Sequence, residues 1–149
     1  MNAGFLDRHA DKAYALLRMV AGLLFAFHGT QKLFGWLTDR PQPAAWTQLW
    51  YGGIIELVGG LLIFAGLFTR PAAFLASGMM AFAYFQGHWE VFKPPFTWDF
   101  TGAFDGWRWV PGVNRGELAA VYCFLFLFFT FAGGRAFSLD RMLQRRREG

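Results

Sequence analysis

Residues 51–73 read YGGIIELVGGLLIFAGLFTRPAA. The stretch 51–68 is apolar almost throughout and comes close to the roughly 20 residues a helix needs to cross a bilayer. Its one ionisable side chain is Glu56. At helical spacing Glu56 shares a face with Gly52, Gly53, Gly59, Gly60 and, less closely, Gly66. A glycine face lets the backbone of another helix come close. Glu56 is therefore expected to point into a helix bundle and not at lipid. Thr69-Arg70 then turn the chain, and Pro71 falls where a first-turn proline is tolerated.

Three more runs of this kind flank the stretch: 14–34, 71–92 and 117–133. The composition agrees with them. Hydrophobic residues make up 55% of the 149, charged residues 16% and aromatics 20%, with 19 Phe and 7 Trp. A soluble bundle would need a polar stripe on each helix, yet residues 124–131 carry only Thr130 as a polar side chain. Intrinsic disorder is excluded by the high hydrophobicity, and a disulfide scaffold by the single cysteine, Cys123. Cys123 lies among aromatics and reads as a small apolar filler. The mean hydropathy of +0.28 is modest, so polarity must be concentrated in loops and ends. Asn114 and Glu117 have capping-box spacing for the last run, and Gly133-Gly134 stop it.

Four spans put both ends of the chain on one face. That face, with the 69–70 turn, carries eight cations: Arg8, Lys12, Arg70, Arg135, Arg141, Arg145, Arg146 and Arg147. The opposite face carries four, Arg40, Lys93, Arg108 and Arg115, together with all seven Trp, as in an interfacial aromatic belt. The positive-inside rule places the Arg-rich face in the cytoplasm. Asp7 and Asp11 spoil a cleavable signal, so the first span is expected to be an uncleaved anchor. The net charge of +4 comes largely from the Arg-rich tail and reads as topology and lipid contact, with no nucleic-acid partner. The expected fold is all-α: an integral-membrane four-helix bundle, antiparallel up-down, both termini cytoplasmic. It forms a single domain, 1–149, with spans about 14–34, 51–68, 71–92 and 117–133 and outer loops 35–50 and 93–116.

An ionisable group at membrane depth costs at least ~2.5–3.5 kcal/mol, so it usually has a partner or a task. Arg18, Gly22, Phe25, Gly29 and Lys32 share one stripe of the first helix, bordered by His28. Ser77, Ala81, Tyr84 and His88 share a stripe of the third, with Glu90 just beyond. Because the helices alternate in direction, His28, Lys32, Glu56, His88, Glu90 and Glu117 can form one outward polar layer. Arg18 is the exception, near the cytoplasmic end. One reading is structural: Lys32–Glu56 or His28–Glu56 pairs fix helix register and Glu117 caps a helix. The other is a redox or quinone pocket, in which histidine and carboxylate relay protons and aromatic rings hold a flat ligand. Glu56 and His28 are then the catalytic candidates, and Lys32, His88, Glu117, Tyr84 and Arg18 the substrate-binding ones. His28 and His88 also form a weak candidate pair for haem iron. No metal-binding or phosphate-cradling motif occurs.

Arg18 with HGTQKLF (28–34), GGIIELVGGLLIFAGLFTRPAA (52–73), NRGELAAVY (114–122) and GGRAFSLDR (133–141) together resemble the DoxX family, including its DoxD-like and CatD-like branches. The resemblance implies a multi-pass protein of a bacterial or archaeal cytoplasmic membrane. It also implies a subunit of a quinol oxidase or thiosulfate:quinone oxidoreductase system, or a membrane protein associated with one. Quinone is the cofactor this implies, with none tightly bound, and the partners are the lipid bilayer, a second oxidoreductase subunit and, in one arrangement, further copies of the chain. The stretch WDFTGAFDGWRWVPGV (98–113) makes the last outer loop longer than in short family members. Three functional classes follow. The first is a catalytic component of a quinone-linked system. The second is a non-enzymatic scaffold that anchors a redox partner through the Trp-rich loops. The third is a small transporter, which the lack of an inverted repeat disfavours.

Overall fold

The computed structural model describes residues 3–93 and 97–149. The protein is mostly helical. Helix α1 spans Ala3–Phe34. After a loop, α2 (Gln48–Ile54) runs without interruption through a π turn (Ile55–Gly59) into α3 (Gly60–Ala65). Helix α4 is Thr69–Gly87, a two-stranded hairpin follows (β1, Phe92–Lys93; β2, Thr97–Trp98), then a single turn α5 (Pro111–Asn114), α6 (Glu117–Ala132) and α7 (Leu139–Glu148).

Two segments are long and apolar enough to cross a bilayer, Leu6–Phe34 and Gln48–Ala65. Helix α6 is as apolar but has only 16 residues, about 24 Å at 1.5 Å per residue. Helix α4 has 19 residues, diluted by Arg70, Ser77, Gly78 and Gln86. Two of the expected boundaries shift. The first helix begins eleven residues before Tyr14, because the charged stretch 7–12 is as good a helix former in water as the apolar one is in lipid. The third ends at Gly87 and not at Phe92. The chain reverses at Glu90, whose φ is +60°, and buries Val91 and Phe92 in the hairpin that folds over the helix end.

The helices pack as two antiparallel pairs. In the first, α1 lies on α2–α3 with glycines at the crossing points. A methyl group added to Gly29 would meet the Gly53 carbonyl oxygen at 2.7 Å, and one added to Gly60 would meet that of Gly22 at 2.6 Å. Of the glycines that share the Glu56 face, Gly53 and Gly60 make this close approach, whereas Gly52 and Gly59 have open space beside them. In the second pair, Ser77 of α4 donates to the Cys123 carbonyl of α6 at 2.8 Å. Phe25, Ile63, Ala73, Ala76, Phe126 and Phe129 fill the core between the pairs. The outward faces carry Leu16, Leu23, Phe74, Leu75, Val121, Phe124 and Phe131, each more than half exposed, an apolar surface of the kind that marks a membrane or protein interface.

The two ends differ. Every tryptophan lies at the loop end, where Trp89 donates from Nε1 to the Ala103 carbonyl at 2.9 Å and Trp98 stacks on Phe100. The expected capping box does not form. Helix α6 starts at Glu117 with Gly116 as its cap, because Asn114 belongs to the α5 turn and its Oδ1 accepts from Gly116 N.

At the terminal end α3 closes in a Schellman motif. Gly66 (φ +66°) donates to Ile63 and Leu67 donates to Leu62. A Cβ on Gly66 would sit 2.5 Å from that of Ser138, so this position needs glycine for space as well as for φ.

Candidate functional site

Glu56 is the second residue of the π turn and is 3% exposed. A π turn adds a residue to one helical turn, a distortion that is frequent at functional sites. Lys32 Nζ donates to Glu56 Oε1 at 2.5 Å. The reach is made possible by Gly53, over which the Lys32 stem passes; a Cβ there would be 3.1 Å from Lys32 Cβ. The lysine side chain keeps 33% of its surface, against 4% for the glutamate. The other carboxylate oxygen, Oε2, is buried and has no hydrogen-bond partner among the described residues. An unsatisfied buried acceptor is costly and usually signals strain, water or a ligand. The pair can therefore take a proton or a hydroxyl donor at Oε2 and steady negative charge beside the ammonium.

The expected single polar layer separates into two clusters. His28 is half-buried and close enough to act electrostatically on Glu56. His88 belongs to the other helix pair. Its Nδ1 lies 3.2 Å from the Asn114 carbonyl, and its ring stacks on Tyr84. Tyr84 donates to the Trp109 carbonyl at 2.5 Å and accepts from Asn114 Nδ2 at 3.2 Å. Tyr84 and His88 thus fasten the 107–116 loop to α4. Glu117 is exposed, with its carboxylate over Gly112. Glu90 is a surface partner of Arg108 at 3.3 Å. Lys93 pairs with Asp99 at 2.8 Å. That lysine and the Thr101 backbone hold the Asp99 carboxyl well below the usual carboxylate range.

Arg18 lies at the terminal end, apart from both clusters and fully buried. Its guanidinium donates to the carbonyls of Ile63 and Phe64 at the end of α3, the first of them shared with Gly66 N, and to that of Phe137 at 2.8 Å. Three neighbours share this work. Asp140 accepts from Phe68 N (2.8 Å) and Thr69 N (3.0 Å) and so caps α4. Arg70 donates to the last carbonyls of α6, Thr130 and Phe131. Tyr14 donates to the Gly133 carbonyl. Residues 133, 135 and 137 all have positive φ, and these bonds hold the strained segment in place. Arg18 is a helix cap here, with its two terminal nitrogens spent on backbone and its Nε buried without a partner among the described residues.

A cavity of about 640 Å³ lies at the terminal end and another of about 230 Å³ under the loop at 89–108. Neither is lined by Glu56, Lys32, His28 or His88. Among the described residues no group of three or more His, Cys, Asp or Glu is placed to hold a metal.

The DoxX family model matches residues 13–89, just over half of the chain. The chain belongs to the DoxX family. The matched span contains Arg18, His28, Lys32, Glu56, Tyr84 and His88. An uncharacterized protein of Haemophilus influenzae is 37% identical over 138 residues, covering 91% of this chain and 93% of the relative. No solved structure matches. DoxX proteins are membrane proteins, and the apolar helices of this one fit that environment.

The sequence left Ser138 and Asp140 without a role, although both lie in its family-like ending. Ser138 is the N-cap of α7, donating to Arg135 O and accepting from Arg141 N, a local signal; the partners of Asp140 are Gly66, Phe68 and Thr69, about seventy positions away, which no local pattern reveals.

Proposed function

We propose that this DoxX protein is a multi-pass component of a quinone-linked oxidoreductase system in a bacterial cytoplasmic membrane. Four spans, 14–34, 48–65, 69–87 and 117–132, would cross as an antiparallel bundle with both termini in the cytoplasm, and the Trp-rich loops would face outward. The excess of arginine at the terminal end and the tryptophans at the other support that orientation.

The observation that carries the redox reading is the buried Lys32–Glu56 pair in a π turn, with Glu56 Oε2 unpartnered. An orphaned buried acceptor fits a ring hydroxyl. A quinone supplies the two-electron chemistry, and its reduced form must release protons as it is oxidised. Glu56 accepts a proton at Oε2. Lys32, bonded to Oε1 and one-third exposed, links the buried carboxylate to water at the loop end. His28 biases the same carboxylate from the next turn of α1. Electrons pass to or from a second subunit of the system.

The test is equilibrium binding of a short-chain quinone to the purified protein, with thiosulfate-dependent turnover read in the same preparation. Glu56→Gln and His28→Ala should both weaken binding. Equal binding and turnover in wild type and both variants would remove the assignment.

A second reading has its own support. The loop end is a built surface, with Trp46, Phe104 and Trp107 each more than 60% exposed on a framework pinned by Tyr84, Trp89 and Asn114. Such a surface suits a scaffold for a redox partner. A stoichiometric partner co-purifying in detergent, and lost when 97–113 is shortened, would favour this reading.

A further inference from the structure

The terminal end holds a feature that the redox reading does not use. The 640 Å³ cavity there is bounded by the 67–71 turn, the 132–136 segment and α7. Its size lies within the roughly 300–1,000 Å³ typical of small-molecule sites. Arg70, Arg135, Arg141 and Arg147 line it from three separate elements, and its acids are Asp11 and Asp140.

Those acids do not balance the cations. Asp140 is committed to the amides of Phe68 and Thr69. Asp11 reaches only Arg135, at 3.7 Å. Arg70 donates to carbonyls, which leave its charge in place. The side chains of Arg141 and Arg147 have no ion-pair partner among the described residues. Thr69, at the cavity wall, is fully buried, and its hydroxyl has no hydrogen-bond partner. Positive charge is therefore gathered around a recess that also offers an unused donor. The rim carries apolar side chains, with Phe68 65% and Leu143 47% exposed.

The geometry points to a binding site for the phosphate of an anionic phospholipid. The arginines and the Thr69 hydroxyl take the headgroup, and Phe68 and Leu143 take the start of the acyl chains. Helix α7 suits this, since Leu139, Met142 and Leu143 share one face of it and its arginines cover the rest. Guanidinium is the group best shaped for a phosphate. A membrane protein also meets such a headgroup at this level wherever its spans end, whereas a soluble phosphate gains nothing from the apolar rim.

The full-length protein in neutral detergent tests this by native mass spectrometry of lipid adducts, using phosphatidylglycerol against phosphatidylcholine. Two variants carry the same change in charge on the same helix. Arg141→Gln/Arg147→Gln alters the cavity wall; Arg145→Gln/Arg146→Gln lies outside it. Each arginine near a headgroup contributes about a five-fold factor. The first variant should therefore lose phosphatidylglycerol about 25-fold and the second less than three-fold. Thr69→Val, with nearly unchanged shape, should fall several-fold. An equal loss in both double variants would reduce the effect to general surface attraction and overturn the site, as would no loss in either. Inorganic phosphate that displaces the lipid at millimolar concentration and constant ionic strength would overturn the assignment to a lipid.

Discussion

Replacing Arg18 by methionine removes a side chain that the fold uses at three carbonyls while keeping most of its apolar volume. Ile63 O retains the Gly66 amide at 3.1 Å. Phe64 O and Phe137 O lose the guanidinium and have no other donor among the described residues. A buried polar group left unsatisfied costs about 1–3 kcal/mol, so the two together cost about 2–6 kcal/mol. Methionine also escapes the cost of burying a guanidinium, which draws the net toward about 3 kcal/mol. For a chain of this size that is a fall in Tm of about 6–12 °C. The loss should be local as well as global, because Phe137 sits in the strained 133–137 segment and precedes Asp140, the cap of α4. Thermal melts of the detergent-solubilised protein and amide exchange over 137–140 measure both. A fall of less than about 2 °C with undiminished protection at 137–140 would refute the capping role. Arg18→Lys, with one ammonium for three carbonyls, should fall between wild type and Arg18→Met.

Gly60→Ala should separate α1 from α2–α3, since the new methyl meets the Gly22 carbonyl, and cost about 1–3 kcal/mol in a melt, whereas Gly59→Ala, with open space beside it, should be near neutral. Tyr84→Phe removes the bond to Trp109 O and the acceptor for Asn114, and should speed proteolysis within 107–116 while leaving Tm nearly unchanged. Asp99, whose folded pKa lies below its unfolded one, contributes to the hairpin above the ordinary carboxylate pKa of about 3.9. That contribution is lost as pH falls below it. Asp99→Asn should therefore raise hairpin proteolysis at pH near 6, with the difference from wild type shrinking toward pH near 2.

The Lys32–Glu56 contact is legible because the glycine face of the second span holds one charge, Glu56, and the stripe of the first helix brings Lys32 to the same depth while Arg18 lies at the opposite end. The π turn around Glu56 was not, since Ile-Glu-Leu-Val-Gly has no feature that distinguishes it from ordinary helix. Periodicity also could not separate Gly53 and Gly60 from Gly52 and Gly59, which lie one residue away but face open space. His88 was assigned to the Glu56 layer by depth alone. Depth does not say which helix pair a side chain faces, and its neighbours prove to be Tyr84 and Asn114. Arg18 stands apart from the Glu56 layer in sequence and structure alike, yet its partners are backbone carbonyls contributed by residues 63, 64 and 137, and backbone leaves no mark in a sequence.

Under the proposed function Glu56 and Lys32 serve a reaction and not merely the packing of α1 against α2–α3. The double variant Lys32→Met/Glu56→Gln separates the two roles, because exchanging a buried ion pair for neutral groups of similar size is often harmless to stability. Quinone binding and Tm should be measured on the same preparation. The account predicts a Tm within about 3 °C of wild type and loss of quinone binding; wild-type binding by the double variant would contradict it.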